Sequence, residues 1–178
     1  MRAFGLLVAK YQDRIFNMVL RMCPQRAVAE ELTQEAFLKA LQRLNQFRGH
    51  SKFYTWLFRI AANLTISHGR RAGRVRFQSL TGPEEFEGSQ ADRLTAAQAA
   101  RRQPGPQEAA MSAENRRRIA QALDELDEEF RLVVILRDME EMDYAEIAAV
   151  TGLPVGTVKS RLHRARCALR DKLRDLVT

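Results

Sequence analysis

Apolar residues recur at three- and four-residue spacing in both halves of this 178-residue chain, and that period confines it to helices. Near the start the stripe is Phe4, Leu7, Val8, Tyr11, Ile15, Met18, Val19 and Met22, with Pro24 at its end. A second helix is expected over about 27–44, with Leu32, Ala36, Phe37, Ala40, Leu41 and Leu44 on its inner face. After the polar break Arg48-Gly49-His50-Ser51, a third is expected over about 52–71, with Phe53, Leu57, Ile60, Ala61 and Leu64 inside. From residue 73 to about 112 the period fades into Ala, Gln, Ser and Glu, punctuated by Gly82, Pro83, Gly88, Pro104, Gly105 and Pro106. That composition suits a linker, with at most a helical turn near 96–100. The period then returns in Ile119, Leu123 and Leu126, in Phe130, Val133, Val134 and Leu136, and in Val158, Leu162, Ala165, Leu169, Leu173 and Leu176. The expected fold is all-α: two small helical domains, residues 1–72 and 113–178, joined by a flexible linker over 73–112. A hydrophobic content of 46% is enough for packed cores and argues against wholesale disorder.

Charge is segregated along the same chain. From Ala36 to Pro83 there is no acid, against nine bases: Lys39, Arg43, Arg48, Lys52, Arg59, Arg70, Arg71, Arg74 and Arg76. From Asp124 to Glu146 ten acids face only Arg131 and Arg137. From Pro154 onward seven bases face Asp171 and Asp175, a balance of +5. Two basic blocks separated by an acidic one point to two sites for a polyanion, where a single block would be no more than a solvated helix face.

The sharpest motif runs from Tyr144 to Arg166 and has the physics of a helix-turn-helix. Asp143 and Glu146 form a capping box at its entry. Ala148 is small where two helices cross, and Gly152 can take the positive φ of a sharp turn. Pro154 opens the second helix, and Ile147, Leu153 and Val158 fill the wedge. That helix presents Thr157, Lys159, Ser160, Arg161, His163 and Arg164, hydroxyls and cations suited to base edges and phosphates. A helical hairpin that binds only protein would not require the small residue, the glycine and the basic face together.

The stretch Leu153–Arg166 resembles the minus-35 reading helix of sigma factors of the extracytoplasmic-function (ECF) subfamily of the sigma-70 family. Residues Ala29–Ala40 resemble that family's polymerase-docking helix, and Phe47–Asn63 its minus-10 recognition segment. The resemblance implies a factor that joins core RNA polymerase, at the beta-prime clamp helices and the beta flap, and directs promoter-specific initiation. It implies polymerase contacts at Glu31, Gln34, Glu35, Phe37 and Leu41, the last two equally suited to core packing. It implies minus-35 contacts at the six residues above. It implies minus-10 contacts at Phe47, Arg48, Ser51, Lys52, Trp56, Arg59 and Asn63, with Trp56 equally suited to half-burial in a core. Promoter DNA and, in this family, an anti-sigma factor are the further partners implied. Phe4 already lies in the first helix, where the family usually carries further residues upstream.

Two other readings stand beside this one. A helix-turn-helix regulator that never joins polymerase would share the C-terminal motif but not the docking-like helix or the acid-free aromatic segment. An enzyme with a DNA-binding tail would need a nucleophile, base or metal cluster in residues 1–72, and none is legible there. Cys23 and Cys167 stand alone, and His50, His68 and His163 lack ligand spacing, so no metal or other cofactor is expected. No phosphate-cradling or nucleophile-elbow motif occurs. No apolar run could span a bilayer and no secretory leader is legible, so the expected location is the cytoplasm.

Overall fold

The computed structural model describes residues 2–49, 51–78 and 106–174. His50, Leu176 and the expected turn near 96–100 lie outside them. The first three helices are α1 (Arg2–Met22), α2 (Arg26–Gln42) and α3 (Phe53–Gln78), with a 3-10 turn at Leu44–Gln46. Four more follow: α4 (Pro106–Asp124), α5 (Glu128–Val134), α6 (Tyr144–Thr151) and α7 (Val155–Lys172). There is no strand among the described residues, so the all-α expectation holds.

The stripes predicted from spacing form the interior. Ile15, Met18 and Val19 of α1 meet Leu32, Ala36 and Phe37 of α2 and Leu57, Phe58 and Ala61 of α3. In the second half, Leu132, Val133 and Leu136 meet Ile147, Val150, Val158, Leu162 and Ala165. Each of these side chains larger than alanine contributes roughly 1.5–3 kcal/mol by leaving water, so the helices are held by packing more than by propensity. Two apolar positions depart from the pattern: Leu41 and Ile119, both expected inside, are exposed.

Local chemistry sets several ends. The capping box is present: the Glu146 N–H donates to Asp143 Oδ1 at 2.8 Å, and the Asp143 N–H to Glu146 Oε2 at 3.1 Å. Gly152 takes φ 72°, and its N–H donates to the Ala148 carbonyl to close α6. Helix α3 runs to Gln78, past the expected end near 71. Helix α4 begins at Pro106, inside the stretch read as linker. That proline punctuates in the sequence, yet a fixed φ and a missing N–H also suit the first helical position.

A turn of π-helix, Ile135–Met139, follows α5 where the spacing predicted an ordinary helix. Its last hydrogen bond runs from the Glu140 N–H to the Ile135 carbonyl at 3.0 Å, and Glu141 then takes φ 57°. Such bulges gather at functional positions, and this one ends on a buried glutamate.

The two halves also touch. Helix α3 packs along α6, and α1 contacts α4 and α5. The contact is close at Gly69 of α3, where an added Cβ would run into the Glu128 carboxylate.

Candidate nucleic-acid interface

On α7 the inner residues Val158, Leu162 and Ala165 are at most 2% exposed, so the opposite face must point outward. Ser160, His163 and Arg164 occupy that face and are exposed, with Lys159 on its flank. Lys159 Nζ lies 5.4 Å from the centre of the Tyr144 ring, a cation–π contact that steers a long side chain. Ser160 Oγ donates to the Thr157 carbonyl at 3.0 Å, which keeps that hydroxyl close to the helix. Thr157 and Arg161 are half-buried, and Arg161 is already paired with Glu129 at 2.7 Å. All six predicted residues thus fall on α7, four exposed and two on its shoulder.

The second basic segment builds a different shape. Phe47 packs edge-on to Phe53, centroids 5.8 Å apart, and tilts against Trp56 at 5.2 Å. Arg48, Ser51 and Lys52 in the following loop are exposed. Beyond this cluster α2 and α3 enclose a groove of about 430 Å³, lined by Lys39, Arg43 and Gln46 on one wall and Trp56, Arg59, Asn63 and Ser67 on the other. That is within the roughly 300–1,000 Å³ of small-ligand sites. Trp56 offers an aromatic wall, Asn63 both donates and accepts, and Lys39, Arg43 and Arg59 supply charge with no acid in the lining. Helix spacing alone does not bring Lys39 and Arg43 to Trp56 and Asn63, although all belong to the acid-free stretch.

Helix α2 divides its residues otherwise than the resemblance implied. Phe37 is only 8% exposed and belongs to the core, the alternative left open for it beside a place on the docking face. Its neighbour Leu38, not expected there, is 59% exposed, and Leu41 37%. Glu31 and Gln34 are exposed on the same side, and Glu35 is tied to Lys39 at 2.6 Å. Phe58, one of the aromatics of the minus-10 segment, is fully buried.

The family pattern of Sigma-70 region 2 matches residues 7–75, and that of Sigma-70, region 4 matches residues 116–169. The ECF RNA polymerase sigma-E factor of Escherichia coli (strain K12) is 36% identical over 176 residues, 99% of this chain and 89% of the relative. The chain belongs to the ECF sigma factors. The RNA polymerase sigma-H factor of Pseudomonas aeruginosa is 38% identical with the same coverage. Among solved structures, CnrH in complex with the cytosolic domain of CnrY matches with a TM-score of 0.66 at 26% identity, over 98% of this chain and 89% of that one. The sigma factor RpoE of Bartonella quintana, in complex with the anti-sigma factor NepR, shares the fold with a TM-score of 0.72 at 22% identity, over 98% of both chains. As a sigma factor the chain directs promoter-specific initiation of transcription, in place of the alternative of a regulator apart from polymerase. Sigma factors are non-enzymatic initiation factors. No helix among the described residues is long and apolar enough to cross a membrane.

Proposed function

We propose that this sigma factor divides its work among three surfaces, within a first domain of residues 1–72 and a second of 113–178 joined by the segment 73–112. The exposed side of α2, with Glu31, Gln34, Leu38 and Leu41, docks on the beta-prime clamp helices of core polymerase. Glu35 supports it from the edge. The outward face of α7 enters the major groove at the minus-35 element, with Lys159, Ser160, His163 and Arg164 toward base edges and Thr157 and Arg161 toward phosphates. The second domain also meets the beta flap. The factor carries no catalytic residue, works in the cytoplasm and, like CnrH with the cytosolic domain of CnrY, is held by a partner protein, which the family resemblance makes an anti-sigma factor.

The third surface carries the reading. A base must leave the stack before protein can hold its face, at a cost of a few kcal/mol, and aromatic platforms return about 1–3 kcal/mol per base. The groove between α2 and α3 combines what this needs: Trp56 as a wall, Asn63 as a polar reader, and Lys39, Arg43 and Arg59 for the backbone. Phe47, packed against Trp56, and the exposed Arg48, Ser51 and Lys52 of the following loop capture the displaced minus-10 strand with it. Phe47→Ala and Asn63→Ala in holoenzyme should impair opening of a closed promoter, read by permanganate footprinting, while leaving core binding and a pre-melted promoter intact. If both variants open the closed promoter as well as wild type, this segment does not capture the strand.

A further inference from the structure

Of the two cations inside the acidic block Asp124–Glu146, Arg131 is buried, and Arg137 belongs to no surface described above. Arg137 lies on the π turn, half-buried, with its guanidinium carbon 5.0 Å from the centre of the Tyr144 ring. Its Nη1 donates to the Met142 carbonyl at 2.7 Å. Lys159 of α7 meets the same ring, its Nζ 5.4 Å from the centre. One aromatic side chain thus gathers a cation from the π turn and another from α7. The ring is itself held in place. Tyr144 is the first residue of α6, the capping box fixes that end, and the side chain packs against the core.

The neighbouring carboxylates are engaged elsewhere. Glu140 binds Arg14 at 2.9 Å, Glu146 binds Lys52 at 2.9 Å, and Asp138 binds Arg166. Arg137 and Lys159 rest on a π face instead, which orients a cation without neutralising its charge. That matters most for Lys159. A lysine ammonium is a point charge on a flexible four-carbon stem, and unrestrained it follows phosphates without preference. Reading a base edge requires a fixed position in the groove. Arg137 gains differently: its guanidinium carries more donors than the Met142 carbonyl uses, and the ring and that bond set its plane.

We propose that Tyr144 is a positioning residue of the minus-35 site: its ring aims Lys159 at a base edge and aligns Arg137 as a further contact to a duplex phosphate. This rests on the major-groove reading given to α7. The ring acts through the two cations and reads no base itself.

The test uses holoenzyme with two duplexes: one that wild type selects from a pool randomised at the minus-35 element, and a scrambled one. Anisotropy gives both affinities. Tyr144→Phe keeps the ring and should bind as wild type does. Fluorine atoms added to that phenylalanine drain negative charge from the ring face at nearly constant size, so helicity and melting should hold. Affinity for the selected duplex should fall stepwise with fluorination, roughly two- to fivefold in all, the size of an exposed cation–π contact. The scrambled duplex should lose less. Arg137→Gln should weaken both duplexes alike and lower the salt slope by about one. In a Lys159→Ala/Arg137→Gln background, fluorination should have no effect, because the ring has lost both groups it acts through. A loss already present in Tyr144→Phe, or no stepwise fall, overturns the role of the ring. So does a fluorine effect that survives without the two cations. An unchanged salt slope in Arg137→Gln overturns the phosphate contact. Undiminished discrimination in Lys159→Ala defeats the base-edge reading of α7 itself, a different result from a silent ring beside an active Lys159.

Discussion

Gly152 offers a clean test of how the helix-turn-helix is built. Its φ of 72° lies in the left-handed region, and an added Cβ would find nothing within 4 Å. Gly152→Ala therefore introduces backbone strain without a clash. Strain in that region costs an L-residue roughly 1–2 kcal/mol. The loss of unfolded-state freedom works the other way by about 0.4–1 kcal/mol. The net is about 1 kcal/mol of destabilisation. With a urea m-value of about 2 kcal/mol/M, the midpoint should fall by roughly 0.5 M. Gly156, the second residue of α7, also has open space around it but no positive φ. Gly156→Ala should stabilise, by at most about 1 kcal/mol, because alanine is the better helix former. Gly152→Asn should fall between wild type and Gly152→Ala, since asparagine tolerates the left-handed region. Far-UV circular dichroism in urea follows all helices, while the single tryptophan, Trp56, reports from the first half. An unchanged or raised midpoint for Gly152→Ala would refute the strain argument. Equal losses for Gly152→Ala and Gly152→Asn would place the cost elsewhere than in φ.

On α7, Arg164→Ala should cost roughly 1–3 kcal/mol at a cognate minus-35 duplex and much less at a scrambled one, by anisotropy with holoenzyme. Arg161→Ala should weaken both duplexes alike and lower the salt slope by about one, as a phosphate contact does; equal behaviour of the two variants would defeat the division of roles. On α2, Leu38→Ala/Leu41→Ala with Glu31→Ala and Gln34→Ala should abolish core-polymerase binding with helicity and melting intact, because these side chains leave the core untouched. Phe37→Ala should do the reverse, costing roughly 3–5 kcal/mol of stability through the cavity it leaves; a stable Phe37→Ala protein that no longer binds polymerase would return Phe37 to the docking face.

Much of this protein is legible without coordinates because it is local. The capping box at Asp143 and Glu146, the left-handed Gly152 and the inward stripe of α7 depend on residues within a few positions of one another. The same spacing yields two helical groups, and the three matching segments yield the family. What spacing could not settle is which of two adjacent residues turns inward, since one position rotates a side chain by about 100° around the axis. Neighbouring helices decided that Phe37 goes in, Leu38 stays out and Phe58 is buried. Nor does the sequence pair distant charges. Arg14 and Glu140 are 126 residues apart, and Lys52 and Glu146 are 94 apart. The acidic block is visible as a run of like charge, but its partners depend on packing α6 against α3 and on the π turn that ends at Glu140. Local periodicity thus determines the helices and their faces, while the choice of partner for each face is a property of the packed whole.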